Sequence, residues 1–166
     1  MRIFLIGFMG CGKTLIGKKL AEKLKYDFYD IDTEIEKIAC KSVIKIFEED
    51  GESRFREFEK QVLLSLSAKN KAVIATGGGT PCFDDNMEII KKTGLSVYIK
   101  LSAESLFERL ETTKKTRPLI ASKNKSQLHS FITELLKQRE PCYLKADRII
   151  KGEKANANNI ASLIFN

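Results

Sequence analysis

Three glycines, a lysine and a threonine stand together in Gly7–Thr14, written GFMGCGKT. The spacing fits G-x-x-x-x-G-K-[ST], and the context fits as well: the apolar run RIFLI comes before it and the amphipathic stretch LIGKKLAEKL after it. Glycines let the backbone wrap tightly with its N–H groups turned inward. Those amides, here from Gly10, Cys11 and Gly12, join the positive end of a helix dipole to hold phosphate oxygens. Lys13 would set a cation against the outer phosphates, and Thr14 would offer a hydroxyl to Mg²⁺. The loop therefore predicts a nucleoside triphosphate. It does not name the group that receives the phosphate.

Further polar residues follow the other apolar runs. Asp30 and Asp32 flank Ile31 in YDFYDIDTE, where a strand is expected to end. Residues two apart in a strand or short extended turn point the same way, so both carboxylates can face the phosphate loop. One could organise a Mg²⁺ water shell and the other accept hydrogen bonds from an acceptor hydroxyl. An aspartate capping the next helix is the plainer alternative for either. Arg56 opens a helix in GESRFREFEK, with Glu52 and Glu59 as possible surface partners. Gly77, Gly78 and Gly79 follow an apolar run and let main-chain N–H groups approach a ligand; a flexible turn is the alternative. Arg117 lies in TRPLI, and Arg139 lies in QREPCY, where Pro141 is expected to stop a helix. The chain has only 7 arginines against 22 lysines, so each planar, two-pronged guanidinium counts for more than the surface lysines do.

The elements that must position these residues alternate apolar runs with amphipathic stretches, the pattern of βαβ units in an α/β protein with a parallel sheet. Strands are expected near Arg2–Ile6, Tyr26–Asp30, Ala72–Ala75, Ser96–Leu101 and Arg148–Ile150. Ile16, Leu20 and Leu24 recur every four residues, and Phe55, Phe58, Val62 and Leu66 line a second helix face. Residues 112–125 are polar and irregular, long for a loop, and read as a mobile lid on a single domain spanning 1–166. No apolar run approaches the roughly 20 residues of a membrane span, so a soluble cytoplasmic protein is expected; a monomer is expected as well. Cys11, Cys40, Cys82 and Cys142 match no metal or CxxC spacing and read as free thiols. The net charge of +7 comes without a stripe of arginines and stacking aromatics, which argues against a nucleic-acid partner. His129 is a lone histidine on a helix and is not assigned to catalysis.

Taken in order, GFMGCGKT, DID, FRxFE, TGGG, TRPL and QREPCY resemble shikimate kinase from Met1 to about Ile150. The resemblance implies a P-loop kinase of the nucleoside-monophosphate-kinase type: a five-stranded parallel sheet of order 2-3-1-4-5, flanked by helices and carrying a lid. It implies transfer of the γ-phosphoryl of ATP to the 3-hydroxyl of shikimate, on the route to aromatic amino acids, with Mg²⁺. By the same resemblance Lys13, Thr14 and Arg117 serve ATP, and Thr14 and Asp30 the metal. Asp32 takes the shikimate hydroxyls and acts as base, Arg56 and Arg139 grip its carboxylate, and Gly78 and Gly79 bond it through the backbone. Lys13, Asp32 and Arg117 form the catalytic set. The resemblance also implies a basic residue along the adenine just before the lid, for which Arg109 is the candidate. A gluconate or nucleotide kinase is the nearest rival. A GTPase switch is disfavoured because neither NK pair, in NKAV and NKSQ, continues to an aspartate.

Overall fold

The computed structural model describes residues 1–113 and 120–165. Its centre is β1 (Arg2–Ile6), in which Ile3, Phe4, Leu5 and Ile6 are all shut off from solvent. A strand covered on both faces has no polar side to alternate with, so its sequence is continuously apolar. β3 (Ala72–Ala75) is apolar for the same reason. β2 (Asp27–Asp30), β4 (Leu95–Lys100) and β5 (Arg148–Lys151) complete the sheet, which has the order β2-β3-β1-β4-β5 with every pair parallel. The implied strand order is thus borne out. It has a direct consequence: β2, β3 and β1 are neighbours, so the loops after their carboxyl ends lie side by side. These loops carry Asp30, the glycine triplet and the phosphate loop. Open parallel sheets bind ligands at that edge.

Helices cover both faces. α1 (Lys13–Leu24) buries Leu20 and packs Ile16 and Leu24 on the core, as their spacing predicts. α2 (Ile31–Ala39), α3 (Val43–Lys45) and one π-helical turn (Ile46–Asp50) lead into α4 (Gly51–Ser67). On α4, Phe55, Val62 and Leu66 are buried and Phe58 packs against them. α5 (Asn86–Thr93) and α6 (Ala103–Thr113) follow β3 and β4 in turn. α7 (Lys125–Tyr143) starts from a reciprocal cap between Asn124 and Gln127, and α8 (Ala157–Phe165) closes the chain. Among the described residues, no helix is long and apolar enough to cross a membrane.

Two local expectations differ from the structure. Pro141 does not stop α7, which runs on to Tyr143. A proline there removes only one backbone donor near the helix end, and the last turn is still closed by Leu144 N–H donating to Glu140 O at 2.9 Å. The second concerns the stretch 112–125. Thr112 and Thr113 still belong to α6, Ile120 is fully buried, and Lys125 already begins α7. Arg117 lies outside the described residues, as do 114–116, 118 and 119.

Candidate active site

The phosphate loop leaves β1 and turns into α1 with Gly10 at φ 81° and Gly12 at φ 98°. Side chains are strained at such angles, and a Cβ on Gly10 would also stand 2.8 Å from Leu110 Cδ2. Gly12 caps α1 through its backbone, with no side chain bonding the first-turn amides. Lys13 is nearly buried and folds back over the loop, donating to Gly7 O at 2.8 Å and Phe8 O at 2.9 Å. Its ammonium is thus held against the loop by two backbone carbonyls. Arg109 reaches over from α6 and donates to Cys11 O at 3.4 Å, which sets its guanidinium beside the same loop.

Asp30 ends β2. One carboxylate oxygen accepts from Thr14 Oγ1 at 2.6 Å, and the other accepts from the Asp32 N–H at 3.1 Å. The capping role and the pairing with the phosphate loop therefore coexist in one side chain. Asp32 does not lie in an extended strand; it sits in the first turn of α2. Capping by Asp30 starts that helix at Ile31, and the turn of the helix, rather than strand alternation, brings Asp32 to the cavity. Asp32 keeps much of its surface open to solvent at the cavity wall, yet protein groups crowd closely around its carboxylate. Removal from water, then the charges of Asp30 and Glu59, push its carboxyl up to about 6, against an opposing pull from Lys13.

A cavity of about 310 Å³ opens beside the phosphate loop. Its polar wall holds Asp32, Glu36, Arg56, Glu59 and Arg139, with the glycine triplet between them; Val43, Phe47 and Phe55 supply apolar surface. Arg56 makes both of the ion pairs anticipated for it and still faces the cavity. Its Nε and Nη2 donate to Glu52 at 3.3 and 3.1 Å, and its Nη1 donates to Glu59 at 2.7 Å. Three of five N–H donors are used, leaving one on each terminal nitrogen for a further acceptor. Arg139 comes from α7; its Nη1 lies 3.4 Å from where a Cβ on Gly78 would stand. The buried Tyr143 phenol, two residues past Pro141, donates to Gly78 O and ties the triplet to α7. Burial raises that phenol well above the usual tyrosine range, keeping it a donor.

The structure thus brings Lys13, Thr14, Asp30, Asp32, Arg56, Gly78, Gly79 and Arg139 to one edge of the sheet. Residues 9–166 match the family model described as shikimate kinase. The shikimate kinase of Parabacteroides distasonis is 44% identical over 153 residues, 92% of this chain and 88% of that one. The chain belongs to the shikimate kinase family. A shikimate kinase of Thermodesulfovibrio yellowstonii is 43% identical over 98% of this chain and 92% of its own. Among solved structures, the shikimate kinase of Bacteroides thetaiotaomicron superposes with a TM-score of 0.92 at 38% identity, covering 99% of this chain and 98% of that one. A shikimate kinase of Acinetobacter baumannii, solved in complex with shikimate, gives 0.86 at 36% identity, with 98% and 89% covered.

Within this shikimate kinase fold, Glu59, expected only as a surface partner of Arg56, is buried at the site, and Phe83, Thr80 and Tyr143 join it without having been singled out by the sequence. Glu59 is 1% exposed and accepts from both Arg56 and Thr80 Oγ1, the latter at 2.6 Å. A signal for it was present: Glu59 falls four residues after Phe55, on the apolar face of α4, where a charge is rarely found without a partner. Phe83 stacks on Arg56 from a turn whose sequence, TPCFDDN, carries no periodic pattern to place it. Thr80 and Tyr143 act through long-range contacts that spacing along the chain does not encode.

Proposed function

We propose that this protein is a shikimate kinase in activity as well as in family. It would transfer the γ-phosphoryl of ATP to the 3-hydroxyl of shikimate, giving shikimate 3-phosphate and ADP in the chorismate route to aromatic amino acids. One observation carries the proposal: the cavity beside the phosphate loop sets two arginines and a carboxylate of raised pKa around one space. A small hydroxy-acid suits that space. Its carboxylate would take the free N–H pair of Arg56 together with Arg139, and the backbone of Gly78 and Gly79 would bond it from the side. Its hydroxyl would face Asp32. The shikimate complex of the Acinetobacter baumannii relative supports the choice of acid.

Asp32 is ionised above about pH 6 and can then accept the hydroxyl proton as the oxygen attacks the terminal phosphorus. Negative charge spreads over the transferred group in the transition state. Lys13, released from the carbonyls of Gly7 and Phe8, would meet that charge, and Arg117 would join it from the lid. Thr14 Oγ1 and the Asp30 carboxylate are hard oxygen donors in contact, and they fit Mg²⁺, which takes few protein ligands beside phosphate and water. Bound there directly or through water, Mg²⁺ would neutralise the outer phosphates. Closing of the lid expected between α6 and α7 over the site would keep water from the phosphoryl group. This reading makes the enzyme a cytoplasmic monomer acting on two small molecules.

A panel of acceptors in an ADP-coupled assay tests it. Turnover with shikimate, and none with gluconate or nucleoside monophosphates, is expected. Turnover with either rival and none with shikimate would overturn it.

A further inference from the structure

Arg56 is fixed in its own plane by carboxylates, Glu52 on one edge and Glu59 on another. In-plane bonds leave a planar group free to tip about them. Tipping is opposed by rings: the guanidinium carbon lies 3.6 Å from the centroid of Phe83 and 5.1 Å from that of Phe55. The nearer ring is in stacking contact over its face. Gly79 closes in beside them, since a Cβ there would stand 3.0 Å from Arg56 Nη1 and 3.2 Å from Phe83 Cε2.

The Phe83 ring does not line the cavity. It stands behind Arg56, half-buried, on a turn with its own fastening. Asn86 N–H donates to Phe83 O at 3.1 Å, and the buried Asn86 side chain donates to Thr80 O at 2.9 Å. Thr80 Oγ1 in turn donates to Glu59. One turn, Thr80–Asn86, therefore supplies both halves of a clamp. Thr80 steadies the carboxylate that holds Arg56 in plane, and Phe83 covers its face.

We infer that Phe83 is a positioning residue for the acid substrate, aiming the free Arg56 N–H pair into the cavity without touching the substrate. The inference rests on the reading of the cavity as the shikimate site. A carboxylate bound to a guanidinium gains from coplanarity, so an arginine free to tip loses part of that gain in every orientation but one. The loss falls on acid binding. It leaves the phosphoryl step and ATP untouched.

Steady-state kinetics on Phe83→Leu and Phe83→Tyr test this, with Arg56→Met and the double variant Arg56→Met/Phe83→Leu as a cycle. Phe83→Leu is expected to raise the KM for shikimate about three- to tenfold, with kcat and the KM for ATP within twofold of wild type. Phe83→Tyr, which keeps the ring face, should restore the wild-type KM. In the Arg56→Met background, Phe83→Leu should lower kcat/KM for shikimate no further, because the arginine it aims is gone. A Phe83→Leu protein that loses kcat at unchanged KM has suffered only a packing defect, and that result overturns the inference. So does a Tyr variant as impaired as Leu, or an additive cycle. Wild-type protein that neither binds nor turns over shikimate would instead sink the underlying assignment of the site.

Discussion

Replacing Arg56 by alanine should damage the protein in two separable ways. The side chain spends three donors on Glu52 and Glu59 and has two left for a ligand. Losing charge-assisted bonds to an acid costs about 1.5–3 kcal/mol, which is roughly 10- to 150-fold in the apparent shikimate constant. The pair with Glu52 is at the rim, where Glu52 is 59% exposed, and adds little. The pair with Glu59 is different, because that carboxylate is 1% exposed and, among the described residues, keeps only Thr80 as a hydrogen-bond partner after the change. Stranding a buried charge costs about 3 kcal/mol, which for a chain of this size lowers Tm by about 6–12 °C. Adding Glu59→Gln removes the stranded charge. The Arg56→Ala/Glu59→Gln protein should therefore recover most of the Tm and none of the shikimate affinity. Thermal unfolding and shikimate titration on wild type and these two variants separate the effects. If shikimate affinity returned with the Tm, or never fell, Arg56 would be a structural ion pair and the account of the cavity would be wrong.

Asp32 should give kcat/KM for shikimate an ascending limb with a midpoint near pH 6 in the free enzyme, absent in a nearly inactive Asp32→Asn protein. The same shift predicts a stability signature. Because the folded protein holds the proton more tightly than the unfolded chain, stability is lost as pH rises from about 3.8 to about 6. Chemical unfolding should find Asp32→Asn more stable than wild type above that window, with the gap closing below it; a pH-independent gap would contradict the shift. Gly10→Ala places a Cβ at φ 81° and 2.8 Å from Leu110 Cδ2, so calorimetry should show Mg·ATP binding weakened by about tenfold or more with shikimate binding retained. An unchanged nucleotide constant would mean that the loop is not the ATP cradle.

Much of this site was legible in the sequence because its parts are local. The phosphate loop is a contiguous motif joined to a strand and a helix, and the five strands came within a residue or two of their observed ends. The inner strands β1, β3 and β4 are buried and largely apolar, which marks them plainly, whereas the edge strands β2 and β5 carry charged residues and only a short apolar centre. The Asp30–Asp32 pair was found for an inexact reason. Its spacing suggested strand alternation, whereas capping by Asp30 starts a helix that delivers Asp32. Pro141 misled because a proline in the last helical turn removes one donor and breaks nothing else. What spacing could not reveal were groups that meet only after folding: Phe83 on Arg56, Thr80 on Glu59 and Tyr143 on Gly78, each separated by 21 residues or more along the chain. Glu59 lay between these cases, marked by its place on an apolar face yet explained only by the arginine and threonine it joins.

The central claim is that Arg139 and its neighbours make the cavity a receptor for shikimate. Calorimetric titration of shikimate into wild type and into Arg139→Ala measures this most directly, with far-ultraviolet circular dichroism and Tm confirming that both are folded. One-site binding by wild type, lost or weakened more than tenfold in a folded Arg139→Ala protein, is predicted. Equal heats from the two proteins, or none from wild type, would contradict it.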